Sequence, residues 1–173
     1  FTTHEAQVRE RQILKIEERG RGCVSGVSNE LDVNTALSKT FLNEGQRGAV
    51  KLIASSNNRF VAVQGSAGTG KTTMLKMASG IAENKGFKVL GAAPSAAAAR
   101  ELSHAGIESK TLASYAVNDF SSLNDKTILV VDEASMVSAK DMHHLMSAAQ
   151  EKSFRVILVG DVQQLQSVQA GKA

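Results

Sequence analysis

Nine residues are of the right types and spacing for phosphate chemistry: Gly65, Ser66, Ala67, Gly68, Thr69, Gly70, Lys71, Thr72 and Thr73. They fit G-x-x-x-x-G-K-[ST] and stand between the apolar run FVAV and a helical pattern, the context in which such a loop cradles a nucleotide's phosphates. Glycines at 65, 68 and 70 let backbone N–H groups turn inward. Lys71 adds a mobile charge for the β/γ-phosphates, and Thr72 offers a hydroxyl to Mg²⁺. The competing reading is a Gly-rich strand-to-helix turn with a chance lysine, and the complete pattern in context outweighs it.

Two more polar clusters follow apolar runs. ILVVDEA delivers Asp132 and Glu133 to a strand tip, where one carboxylate can serve Mg²⁺, directly or through water, while the other activates water. Alone, the pair would read as acids favoured at a helix N-terminus. FRVILVGDVQQLQ places Asp161, Gln163 and Gln164 past a third run, and a neutral amide near a γ-phosphate can act as its sensor. Gln46 has two readings: its amide can donate to and accept from an adenine edge, or Asn43 and Gln46 form a capping box. Spacing alone favours the box. His4, His104, His143 and His144 lack metal-ligand spacing.

These clusters require a scaffold that brings strand tips together. Hydrophobic periodicity predicts a charged helix opening at a Thr2/Glu5 capping box and ending at Gly20 and Gly22, then a polar Gly/Ser-rich linker or small excursion over 21–40. From residue 41 strands and helices alternate. Helices are expected over about Glu44 to Ser55, Lys71 to Asn84, Pro94 to Gly106 and Ala139 to Gln150, with a short element over Thr111 to Val117. Strands are expected over Phe60 to Gln64, Lys88 to Ala92, Thr127 to Val131 and Phe154 to Val159. The near-continuous apolar strands indicate an α/β fold with a parallel sheet covered on both faces, ligands gathering at the carboxyl ends of the strands. The division expected is an N-terminal segment, 1–40, and a nucleotide-binding domain, 41–173.

Composition narrows the setting. With 42% hydrophobic and 21% charged residues the 173-residue chain is expected to fold as one unit. A net charge of +3 is compatible with a polyanionic partner without requiring one. The single Cys23 rules out an internal disulfide, and the sequence shows neither a signal peptide nor a run of ~20 apolar residues. A soluble, cytoplasmic protein without membrane insertion is expected. The ending at QSVQAGKA, directly after a strand-like run, suggests a piece of a longer protein.

In order, LNEGQ, GSAGTGKTT, GAAPSAAAARELSHAG, SKTLASY, VVDEASMV and LVGDVQQLQSV resemble the RecD-like superfamily 1 helicases, and most of all the helicase portion of conjugative relaxase-helicases of the TraI (MobF) type. The opening FTTHEAQVRERQIL resembles the segment leading into that core. The resemblance implies a RecA-like domain of a bacterial, ATP- and Mg²⁺-dependent 5′-to-3′ DNA helicase. It makes Gln46 the adenine contact, gives the Mg²⁺ shell to Thr72 and Asp132, the attacking water to Glu133 and the γ-phosphate to Gln164. Single-stranded DNA would meet Pro94, Ser95, Thr111 and Ser114, the last standing where other members have His. It further implies a second RecA-like domain in the same polypeptide, bearing an Arg toward the ATP, and partners in the conjugation machinery. Two rivals remain: a vestigial helicase-like module that binds single-stranded DNA without ATP turnover, and a phosphate-loop small-molecule kinase, which lacks an Arg-rich lid here.

Overall fold

Four of the five strands alternate their side chains between two cores. The computed structural model describes residues 4–64 and 70–160, so Thr2, residues 65–69, and Asp161, Gln163 and Gln164 lie outside the described residues. Within them the chain runs α1 (His4–Arg19), α2 (Glu30–Leu37), α3 (Glu44–Ser55), β1 (Phe60–Gln64), α4 (Lys71–Asn84), β2 (Lys88–Ala93), α5 (Ala96–His104), β3 (Glu108–Thr111), α6 (Leu112–Val117), β4 (Thr127–Val131), a 3-10 turn (Ala134–Met136), α7 (Ala139–Lys152) and β5 (Arg155–Gly160).

The five strands form one parallel sheet in the order β1-β5-β4-β2-β3. Phe60, Leu90, Leu129, Val131, Val156 and Leu158 face α1, α6 and α7, meeting Ile13, Ile16, Tyr115, Leu145 and Met146. Val61, Val63, Val89, Ile128, Val130, Ile157 and Val159 face α2 to α5, meeting Val33, Leu37, Val50, Met74, Leu75 and Leu102. The period of two within uninterrupted apolar runs explains the result: both faces are buried, so both sets are hydrophobic.

The expected elements from residue 41 onward form with boundaries shifted by a residue or two. The stretch 21–40, read as a linker or small excursion, holds a helix. Asn29 caps α2 through the Asp32 N–H (2.7 Å), and Val33 and Leu37 are buried in the same core as the sheet. Only two of eight residues are committed apolar anchors, too few for a helical period to stand out. Likewise α1 lies along α7, with Ile13 and Ile16 in the opposite core.

Among the described residues no helix is long and apolar enough to cross a membrane. Cys23 is exposed.

Candidate functional site: the carboxyl edge of the sheet

Strand register aligns the polar tips. Gln64 at the end of β1 pairs with Gly160 of β5, Val131 of β4 with Leu158, and Ala93 of β2 with Thr111 of β3. Asp132 therefore emerges beside the end of β2, its N–H donating to the Ala92 carbonyl (2.9 Å). From the adjacent β4 and β2 the chain leaves for opposite faces, into α7 and α5, which opens the crevice where ligands of parallel sheets bind. A cavity of about 480 Å³ lies there, lined by Gly70, Lys71, Thr72, Glu101, Asp132 and Glu133 among others.

Lys71 begins α4 and extends its ammonium to Asp132, with Nζ 3.0 Å from Oδ1 and 2.9 Å from Oδ2. β5 lies between their strands, so the contact joins the tips of two strands that are not paired with each other. Asp132 is only 3% exposed. A carboxylate that deeply placed needs ionic or hydrogen-bonded partners, and it has Lys71 together with the Glu133 N–H (2.9 Å). The two residues read from sequence as phosphate and metal partners are thus already in direct contact.

Glu133 adopts a left-handed conformation, φ 51° and ψ 41°, which costs a non-glycine residue roughly 1 kcal/mol or more. The bond to Asp132 and the Met136 N–H donated to the Glu133 carbonyl (2.9 Å) hold it there. Glu133 is exposed and lines the crevice, one residue from the buried Asp132. Thr72 and Thr73 are exposed on the first turn of α4. Oxygen donors from Thr72 and Asp132 beside one cavity suit a hard cation such as Mg²⁺. No group of three or more His, Cys, Asp or Glu is clustered among the described residues.

Gln46 resolves toward the cap, and then goes further. Its N–H donates to Asn43 Oδ1 (2.9 Å) and the Asn43 N–H donates to Gln46 Oε1 (2.8 Å), completing the capping box. The same amide's Nε2 donates to the Gly70 carbonyl (3.0 Å). Local spacing gave no sign of that second bond, because it joins residues 24 apart. Next to it, α3, β1 and α4 enclose a more apolar cavity of about 360 Å³ lined by Gln46, Ala49, Leu52 and Gln64 among others.

At the other end of the edge, Pro94 and Ser95 follow β2 and Thr111 closes β3. Ser95 caps α5, its Oγ accepting from the Ala98 N–H (3.2 Å). Thr111 caps α6, its Oγ1 accepting from the Ser114 N–H (3.2 Å) and lying 2.8 Å from Ser114 Oγ. Pro94, Ser95 and Ser114 are exposed. The four residues are brought to neighbouring strand tips.

Residues 41–173 match the family model for an AAA domain. Three relatives illustrate the likeness. A conjugal transfer protein TraA of Rhizobium radiobacter is 41% identical over 148 residues, 80% of this chain and 13% of its own. The multifunctional conjugation protein TraI of Escherichia coli strain K12 is 32% identical over 76% of this chain and 8% of its own. The ATP-dependent RecD2 DNA helicase of Deinococcus radiodurans is 35% identical over 75% of this chain and 19% of its own. The chain spans less than a fifth of these relatives' length. With its family match covering the whole sheet and its edge of polar tips, the chain belongs to the AAA domain family, in the RecD-like group that includes these conjugation proteins and the RecD2 helicase.

Proposed function

We propose that this chain is the first motor domain of an ATP-dependent 5′-to-3′ DNA helicase acting in conjugative DNA transfer in the bacterial cytoplasm. The observation that carries the reading is the Lys71–Asp132 contact at the carboxyl edge, with Glu133 beside it and the Ser95 and Thr111 tips on the neighbouring strands.

In this reading Gly65 to Thr73 wrap the phosphates of ATP, and Lys71 transfers its charge from Asp132 to the β/γ-phosphates. Thr72 and Asp132 hold Mg²⁺, which when bound neutralises charge on the phosphate oxygens. Glu133, exposed at the crevice, aligns the attacking water and accepts its proton. Gln46, which lines the apolar cavity of about 360 Å³, is read as the adenine contact, and Gln164 as the γ-phosphate sensor. Pro94, Ser95, Thr111 and Ser114 form the track for single-stranded DNA, whose phosphates accept from hydroxyls and backbone N–H groups. A second RecA-like domain of the same polypeptide supplies the Arg that stabilises the transition state, and proteins of the conjugation machinery are its partners.

Calorimetric titration with Mg–ATP, followed by single-stranded DNA, tests the reading. Nucleotide binding that Lys71→Ala abolishes supports a motor domain. DNA affinity with steep salt dependence and no response to Mg–ATP would instead mark a vestigial binding module.

A further inference from the structure

We infer that Gln46 is a positioning residue for the phosphate loop, fixing the peptide between Gly70 and Lys71, whether or not a base is bound. The inference rests on the nucleotide-binding reading above and concerns how that site is held.

The Gly70 carbonyl accepts two hydrogen bonds: one from the Met74 N–H (3.1 Å), the first of α4, and one from Gln46 Nε2 (3.0 Å). Because a trans peptide is planar, with C=O and N–H pointing in opposite directions, a carbonyl held along α4 aims the Lys71 N–H out of the helix N-terminus. That is the direction from which a phosphate is received. Gly70 itself sits at φ +77°, a conformation glycine adopts without penalty and from which it can also rotate away readily. Met74 alone would leave this peptide at a fraying helix end. Gln46 adds a second restraint from a different helix.

The base of the restraint is itself fixed. Gln46 Oε1 is occupied by the Asn43 N–H (2.8 Å), which orients the amide so that Nε2 faces Gly70. Arg47, the next residue, donates to the carbonyls of Leu42 (3.0 Å) and Thr40 (3.2 Å), pinning the chain that enters α3. Packing agrees: a Cβ on residue 70 would run into the Gln46 amide nitrogen. Gly70 therefore answers both to its positive φ and to the close approach of Gln46.

The test compares Gln46→Ala with Asn43→Ala. The latter removes the side-chain half of the capping box but leaves both side-chain bonds of Gln46. Affinities of the chain for Mg–ATP, Mg–GTP and inorganic tripolyphosphate with Mg²⁺ are measured by calorimetry. Backbone amide exchange at Lys71 to Thr73 is measured without any ligand. Gln46→Ala is expected to weaken tripolyphosphate, which carries no base, about five- to tenfold, the worth of one hydrogen bond. It is also expected to speed exchange at Lys71 to Thr73, with Asn43→Ala close to wild type in both. Unchanged tripolyphosphate affinity alongside weakened ATP would reduce Gln46 to a base contact and overturn the inference, as would equal effects of the two substitutions. If the wild-type chain binds none of the three ligands, the nucleotide reading fails, and the exchange rates still decide whether Gln46 restrains the loop.

Discussion

At one end of the carboxyl edge Lys71 reaches Asp132 across 61 residues of chain, whereas at the other Ser95 and Thr111 direct their hydroxyls to amides three residues on. The first arrangement exists only in the folded protein and has no use in shaping a local turn. The second makes a helix N-terminus whether or not anything else is bound. A long-range ion pair at a buried carboxylate is therefore the stronger functional signal. Capping hydroxyls at a strand tip carry a structural duty that any test of DNA binding must subtract.

The largest effect is expected at the ion pair. Lys71→Ala leaves Asp132 buried without its cation and should cost about 2–3 kcal/mol in urea unfolding, with more than about tenfold loss of Mg–ATP affinity. Lys71→Ala combined with Asp132→Asn should be less destabilised than Lys71→Ala alone, since an amide needs no counter-charge. Asp132→Asn by itself should free Lys71, so that Mg²⁺-free ATP binds several-fold more tightly while the Mg²⁺ enhancement disappears. If the double variant is no more stable than Lys71→Ala, the two ends of the edge differ less than the distances indicate.

At the DNA end the effects are smaller. Thr111→Ala removes the cap of α6 and should cost about 1 kcal/mol, measured by thermal unfolding. Tyr115 supports the same element: it is buried and its hydroxyl donates to the Gly91 carbonyl (2.9 Å). Burial pushes its phenol up to about 12, with the charge of Glu108 adding to the shift. A folded-state value above the unfolded value of about 10 favours the folded state below pH 10, an advantage lost as the pH rises toward 12. As the chain has one Tyr and no Trp, absorbance at alkaline pH reports this residue alone. A phenol titrating near 10 in the folded protein would detach α6 from β2. Tyr115→Phe should cost about 1 kcal/mol.

Ser114→Ala is the finest discriminator. The variant keeps the Ser114 N–H bond of the Thr111 cap and loses only an exposed hydroxyl–hydroxyl contact of 2.8 Å, so stability should change by less than about 0.5 kcal/mol. Single-stranded DNA affinity, read by fluorescence anisotropy, should fall severalfold if the hydroxyl meets a phosphate. No change would confine the DNA end of the edge to its capping role.

Much of this was legible in the sequence, unevenly. The uninterrupted runs VAV, ILVV and VILV announced a doubly covered parallel sheet because both faces of each strand had to be apolar. The phosphate-loop pattern and the DE pair stand out as motifs because the chemistry read into them is compressed into adjacent residues. α2 was obscured by polar composition, its place in the core resting on Val33 and Leu37. For Gln46 the two local readings competed; the capping box forms, and the bond to Gly70 lay outside both readings.

By itself the sequence determined most element types from residue 41 on, though not the polar strand β3, together with which residues could carry phosphate chemistry, since propensity, periodicity and motif spacing act over a few residues. Tertiary structure decided the strand order, the placing of β5 between the β1 and β4 tips, the reach of Lys71 to Asp132, and the grip of Gln46 on Gly70. Those depend on which strands pair and in what register. That choice is made by the simultaneous burial of two apolar faces, a property of the whole fold that no local window contains.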